Sequence, residues 1–182
     1  RFSQLVLQCN LAAEDPAYWL EFLKTLAVET GADVACGLRH DLRTNRIEGI
    51  QWGLSQECYE QYINTYAALN PWMPEEGKEV FRGNVVRGEA VLGLAEMRRT
   101  RFYQEWGKKN NVVYTAIARL EFARGKLVYL SINRGEKKGP FSESAIRLLD
   151  TLFPHLQQAA RISHMAVSIE GKSRMMDSQA PA

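Results

Sequence analysis

The chain is 182 residues long, 46% apolar, 24% charged and 10% aromatic. Those proportions describe one globular domain with a remainder for an extension, and they exclude disordered, collagen-like and coiled-coil chains. The net charge of +2 hides an asymmetry, because residues 1–86 carry 7 basic and 12 acidic side chains whereas residues 87–138 carry 12 and 5.

In chain order, Asp15-Pro16 reads as an N-cap followed by proline at the first helical position. Trp19, Phe22, Leu23, Leu26 and Ala27 then recur at helical spacing up to Gly31. Val34–His40 and Ile47–Trp52 read as a hairpin across a polar turn. Ser55 caps a second helix with Cys58, Tyr59, Tyr62, Ile63 and Tyr66 on one face, stopped at Asn70-Pro71 because the residue before proline is pushed out of the helical region. Residues 71–93 read as an irregular lid or wall. Leu94–Lys109 is near helical spacing, and strands follow at Val112–Phe122 and Lys126–Asn133. Tyr114, Ala116 and Ala118 alternate there with more polar residues, which predicts a half-exposed antiparallel sheet. Ser142 opens a final helix with Ile146, Leu149, Phe153, Leu156 and Ala160 on one stripe and a kink expected at Pro154. Residues 1–170 thus form the expected domain, with 171–182 a frayed or disordered polar tail. No apolar run reaches membrane-spanning length and the first residues form no signal peptide, so a cytoplasmic location is expected.

Enzyme signatures are missing: the chain has no G-x-S-x-G elbow, no phosphate-binding glycine loop and no H-E-x-x-H. His40, His155 and His164 have no second ligand at metal-binding spacing, and the reading needs no cofactor. His155 follows Pro154, where its ring is expected to satisfy the carbonyl that the proline leaves free. Cys9, Cys36 and Cys58 have no C-x-x-C spacing and read as reduced, mostly buried thiols. The cations of residues 87–138 lie scattered, without the clusters and stacking rings of a nucleic-acid groove, so a solvated or subunit-facing surface is expected of them. What the chain does concentrate is rings with polar tips, among them Trp52, Tyr59, Tyr62, Tyr66, Trp72, Trp106 and Tyr114. Such rings wall pockets for amphiphilic organic ligands, and they equally make a large core or a dimer surface.

Three blocks resemble one family. Tyr59-x-x-Tyr62-x-x-x-Tyr66-x-x-x-Asn70-Pro71-Trp72, the run from Glu96 to Tyr103, and Gly139-Pro140-Phe141-Ser142 with Leu152-Phe153-Pro154-His155-Leu156 are similar, in residues and spacing, to the N-terminal sensor region of LuxR-type helix-turn-helix regulators. The resemblance spans about residues 14–165 and implies a PAS/GAF-like α/β sensor domain, an antiparallel sheet flanked by helices, in a dimeric cytoplasmic regulator. In the branch that binds acyl-homoserine lactones an aspartate stands at the position of Asn70 and a tryptophan at that of Cys58, which weakens the case for a lactone here. No stretch resembles the helix-turn-helix, so DNA contact is expected only through a reader domain absent from this chain. The chain is then either the sensor part of a longer regulator or a protein that lost its reader.

The expected ligand pocket lies between the strand of Tyr114 and the helices bearing Tyr62, Tyr66, Phe102 and Trp106, with Trp72 in its cover and Asn70 as polar anchor. A drug-sized ligand needs on the order of 300 Å³ or more there. A homodimer is expected through the Ile146, Leu149, Phe153, Leu156 stripe and the helix of Trp19. Two alternatives stand beside this reading: a ligand-free dimerisation module whose own rings fill the pocket, and a small thiol or ester hydrolase using Cys36 or Cys58 with His155.

Overall fold

The computed structural model describes the backbone of residues 1–73, 85–123 and 125–177. Its centre is a five-stranded sheet in the order β2-β1-β5-β4-β3, every neighbouring pair antiparallel. The strands are β1 (Val34–Asp41), β2 (Arg46–Trp52), β3 (Val85–Arg87), β4 (Tyr114–Ala123) and β5 (Lys126–Arg134). Helices α1 (Phe2–Glu14), α2 (Tyr18–Thr30) and α6 (Glu143–Asp177) form a layer on one face. Shorter helical pieces cover the other: α3 (Gln56–Gln61) running on through 62–69, α4 (Gly88–Val91), α5 (Leu94–Met97), and the turn at 103–107. The expected architecture, an antiparallel sheet flanked by helices, is the one observed.

Helix α1 has no counterpart in the sequence reading, although Leu5, Cys9, Ala12 and Ala13 recur at helical spacing and are all buried. It packs against α2 and α6. Asp15–Ala17 is the tight link between the two helices, with the Asp15 side chain accepting from the Ala17 amide at 2.9 Å. Helix α2 therefore starts at Tyr18, and Gly31 ends it in the left-handed conformation at φ 67°.

Two further expectations are corrected. The sheet is not half exposed, because β4 buries Ala116 and Ala118 under the helix layer and Thr115 and Ile117 on the opposite side. The α6 stripe is not a free dimer surface, since Leu149 and Leu156 are 0% exposed within this one chain, against α1, α2 and the sheet. Helix α1 supplies the cover that the stripe needed. Of the lid expected at 71–93, residues 85–91 form β3 and α4, while 74–84 lie outside the described residues. Helix α6 runs as one element through Pro154 to Asp177, and 178–182 of the expected tail lie outside the described residues. The His155 ring meets Phe2 edge-on at 6.1 Å.

Three cations of the basic stretch, Arg87, Arg134 and Lys138, fasten the fold. Arg87 donates to the Phe141 carbonyl and pairs with Glu143. Lys138 pairs with Asp33 at 2.5 Å. Arg134 donates to the Thr30, Gly31 and Pro140 carbonyls and lies 4.3 Å from the Phe141 ring centre. A cation at the carbonyl end of α2 also complements the helix dipole. The Gly139-Pro140-Phe141-Ser142 block thus presents Phe141 to Arg134 and caps α6 through Ser142, which accepts from the Ala145 amide.

Candidate functional site

Strand β5 explains where the rings gather. Its alternation sends Val128, Leu130 and Ile132 into the helix layer and Tyr129, Ser131 and Asn133 to the other face. In an ordinary antiparallel sheet that polar-tipped face would meet water. Here Tyr129, Ser131 and Asn133 are 1%, 8% and 9% exposed. They form, with Thr115 and Ile117 of β4 and Val34 and Cys36 of β1, the floor of a pocket roofed by aromatic rings.

The roof comes from two helical segments, each with a π-helical turn at its ring residues, Tyr62–Tyr66 and Tyr103–Gly107. Single π turns inside helices are frequent at functional sites. Tyr62 and Trp106 lie 5.2 Å apart between ring centres, Phe102 and Trp106 5.3 Å, and Trp72 and Phe102 5.6 Å. Tyr66 stacks outside on Trp106 at 6.4 Å. Trp72 sits where Gly88 lacks a side chain, since a Cβ there would fall 2.7 Å from the indole nitrogen.

Polar groups lock the roof. The Asn70 Nδ2 donates to the Tyr62 hydroxyl at 3.0 Å, and Asn70 Oδ1 accepts the Trp72 amide at 3.0 Å. The Trp106 indole donates to the Cys58 carbonyl at 3.2 Å, and the Cys58 thiol to Asn110 Oδ1 at 2.8 Å. The Tyr129 hydroxyl is fully buried beside Tyr62 and makes no hydrogen bond of standard geometry. Burial pushes the Cys36 thiol up to about 12 and raises the Tyr62 and Tyr129 hydroxyls above the usual tyrosine range. Among the described residues none that lines the pocket is charged.

Five of the seven residues expected at the site line this pocket: Tyr62, Asn70, Trp72, Phe102 and Trp106. Tyr66 stands behind Trp106, and Tyr114 packs on the rim of the ring cluster without lining the pocket. Ala116 and Ala118, which strand alternation groups with Tyr114, face the helix layer. The enclosed volume is about 30 Å³, room for a water molecule or two and far below the space expected from the sequence. The thiol and histidine proposed for a hydrolase are also apart, with Cys36 and Cys58 on the ring side and His155 on α6, across the sheet. Among the described residues no group of three or more His, Cys, Asp or Glu is placed to hold a metal. No helix of the described residues is long and apolar enough to cross a membrane.

The fold has counterparts among solved structures. The VqsR ligand-binding domain of Pseudomonas aeruginosa superposes with a TM-score of 0.69 at 14% identity, covering 90% of this chain and 96% of that one. The fold is that of LuxR-type ligand-binding domains. CepR2 of Burkholderia cenocepacia, an N-acylhomoserine lactone dependent LuxR family factor, gives 0.60 at 14% identity over 88% of this chain and 93% of its own. SdiA of Escherichia coli gives 0.59 at 12% identity over 92% and 69%, and a further SdiA structure holds octanoyl-rac-glycerol. No protein-family model matches the sequence, and no curated protein sequence does. The chain thus shares this fold with them at low sequence identity.

Sequence reasoning missed the floor of the site. Thr115 falls at a polar, alternating position of its strand and so reads as partly wet, Ser131 and Asn133 carry no reading of their own, and only the depth of aromatic cover over all three shows that this face is dry. The available signal was the run Tyr129-x-Ser131-x-Asn133 opposite Val128, Leu130 and Ile132, in a chain with more large rings than one core face needs.

Proposed function

We propose that this chain is the small-molecule-sensing domain of a LuxR-type transcriptional regulator, and that the neutral pocket under Tyr62, Trp72, Phe102 and Trp106 is its ligand site. One observation carries the reading: a polar-tipped strand face, Tyr129-Ser131-Asn133, buried beneath aromatic rings in place of water. An all-apolar floor would serve a core better, because buried hydroxyls and amides stabilise only when each finds a partner. The ligand class that fits is an uncharged amphiphile, its polar group at Asn70, Tyr129 and Ser131 and its apolar part among the rings. The acylated ligands named for CepR2 and SdiA belong to the same chemical class.

With about 30 Å³ enclosed, the rings must part for such a ligand to enter. The two π turns are the segments that move, and the ligand shifts the balance between closed and open forms by its difference in affinity for them. Residues 1–170 form the sensor and 171–182 lead to a DNA-reading domain outside this chain. The reading includes a homodimer in the cytoplasm and no catalysis.

The rings stacked on one another favour a second reading, a ligand-free dimerisation module. Two measurements separate them. Denaturing mass spectrometry of the purified chain is expected to release a neutral organic molecule. Alkylation of Cys36, on the pocket floor, is expected to slow when that molecule is added back. An empty chain with Cys36 labelled only on global unfolding establishes the module instead.

A further inference from the structure

The helix-covered face of the sheet holds a larger hollow, separate from the ring pocket. It is an open cleft of about 470 Å³ between the start of α2, the Ala160–Ser163 turn of α6 and strands β2, β1, β5 and β4. That volume suits a drug-sized molecule. Its walls are Trp19, Ile50, Leu120, Val128 and Leu130.

Two features distinguish it from a packing defect. The first is Gly37, in the middle of β1, a strand with partners on both sides. Glycine inside a strand weakens it and often marks close approach of a ligand. Nothing local demands this one: its φ is not positive, and an added Cβ would meet no atom closer than Ile50 Cγ2 at 3.9 Å. The missing side chain opens the floor of the hollow between Ile50 and Leu130, its neighbours across both ladders. The second is Arg39, two residues along on the same face and half-buried at the rim. Glu48, directly across from it, lines the same rim but pairs with Arg46 at 2.8 Å, and Arg39 has no ion pair among the described residues. A cation with no ion pair among the described residues, at the mouth of a largely apolar hollow, complements an anion that carries an apolar tail.

We propose that this hollow is a second ligand site, taking an apolar monocarboxylate with its carboxylate on Arg39 and its chain over Gly37 between Ile50, Leu130 and Trp19. The site is independent of the ring pocket, which has no charged lining residue among the described residues.

The probe is decanoate, with decanol as its neutral counterpart, titrated calorimetrically into the 182-residue chain. Decanoate is expected to bind one per chain and more tightly than decanol. Gly37→Leu fills the floor and is expected to weaken decanoate at least about tenfold while the thermal midpoint holds or rises. Arg39→Gln, at the rim, is expected to weaken decanoate about tenfold and to abolish its advantage over decanol. Absence of binding to the wild type overturns the proposal. So does decanoate binding that survives Gly37→Leu but is lost in Trp106→Ala, which places the acid in the ring pocket. A sedimentation profile that changes from dimer to monomer on Gly37→Leu, with no decanoate site, assigns the hollow to a second copy of the chain and overturns it equally.

Discussion

Asn70 joins the roof of the pocket to itself: its Nδ2 donates to the Tyr62 hydroxyl one helical stretch upstream, while its Oδ1 takes the Trp72 amide two residues on. The side chain expected to anchor a ligand is therefore, in the closed pocket, the pin that holds two ring-bearing segments together. On the proposed reading, a ligand group replacing the Tyr62 hydroxyl at Asn70 would release the roof, so binding and opening would use the same atoms. Asn70→Ala is expected to destabilise the chain by about 1–3 kcal/mol, because the Trp72 amide and the Tyr62 hydroxyl lose their partner. Chemical denaturation followed by far-ultraviolet circular dichroism reads the change. Faster alkylation of Cys36 in the same variant shows that the pin keeps the pocket shut, and an unchanged rate separates Asn70 from gating.

Gly88 tests the seat of Trp72. A Cβ there would lie 2.5 Å from Thr115 Cγ2 and 2.7 Å from the Trp72 indole nitrogen, between a strand side chain and a large ring. Gly88→Ala is expected to cost about 1–3 kcal/mol by overpacking and to displace the indole outward. A red-shifted tryptophan emission with lowered stability is the expected result. Wild-type emission would show that the backbone of α4 absorbs the methyl instead.

Leu156 distinguishes a core role from an interface role. It is fully buried among α1, α2 and the sheet, so Leu156→Asp places a carboxylate in an apolar cluster. The expected outcome is loss of more than about 3 kcal/mol and unfolding, in place of the folded monomer that a dimer-surface residue would yield. Sedimentation together with circular dichroism decides. A folded, monomeric variant would restore the stripe to an interface.

His40 sets an acid limit. It is 3% exposed on β1, Nε2 bonded to Asn45 Oδ1 at 2.8 Å, Nδ1 without a partner. Burial lowers its pKa below the ordinary histidine value, outweighing Asn45 and Asp41, which raise it. The unfolded chain then binds the proton more readily than the folded one. The neutral ring's contribution is complete above a pH of about 6.5 and is lost as pH falls from there through the lower folded-state value. His40→Gln is expected to flatten that part of the stability profile measured between neutral and mildly acidic pH. A parallel profile in wild type and variant would assign the acid sensitivity to other groups.

Much of this fold is legible in the residues one at a time, because it rests on local rules. Gly31 ends α2, Ser55 and Ser142 cap their helices, and the alternations of β1, β2, β4 and β5 appear where the structure has strands. The rings of the pocket are legible for the same reason, since Tyr62, Phe102 and Trp106 project from helices at readable spacing. The resemblance of the three sequence blocks to LuxR-type sensor regions agrees with the fold. Which side of a strand is wet is not a local property. Periodicity shows that Tyr129, Ser131 and Asn133 share a face, but only the layer above them decides that the face is dry. The α6 stripe behaves in the same way: its apolar character is in the sequence, and its partner, α1, is found only by folding. Volume is decided last, because 30 Å³ under the rings and 470 Å³ over Gly37 depend on how side chains from several elements interdigitate, and no single segment carries that information.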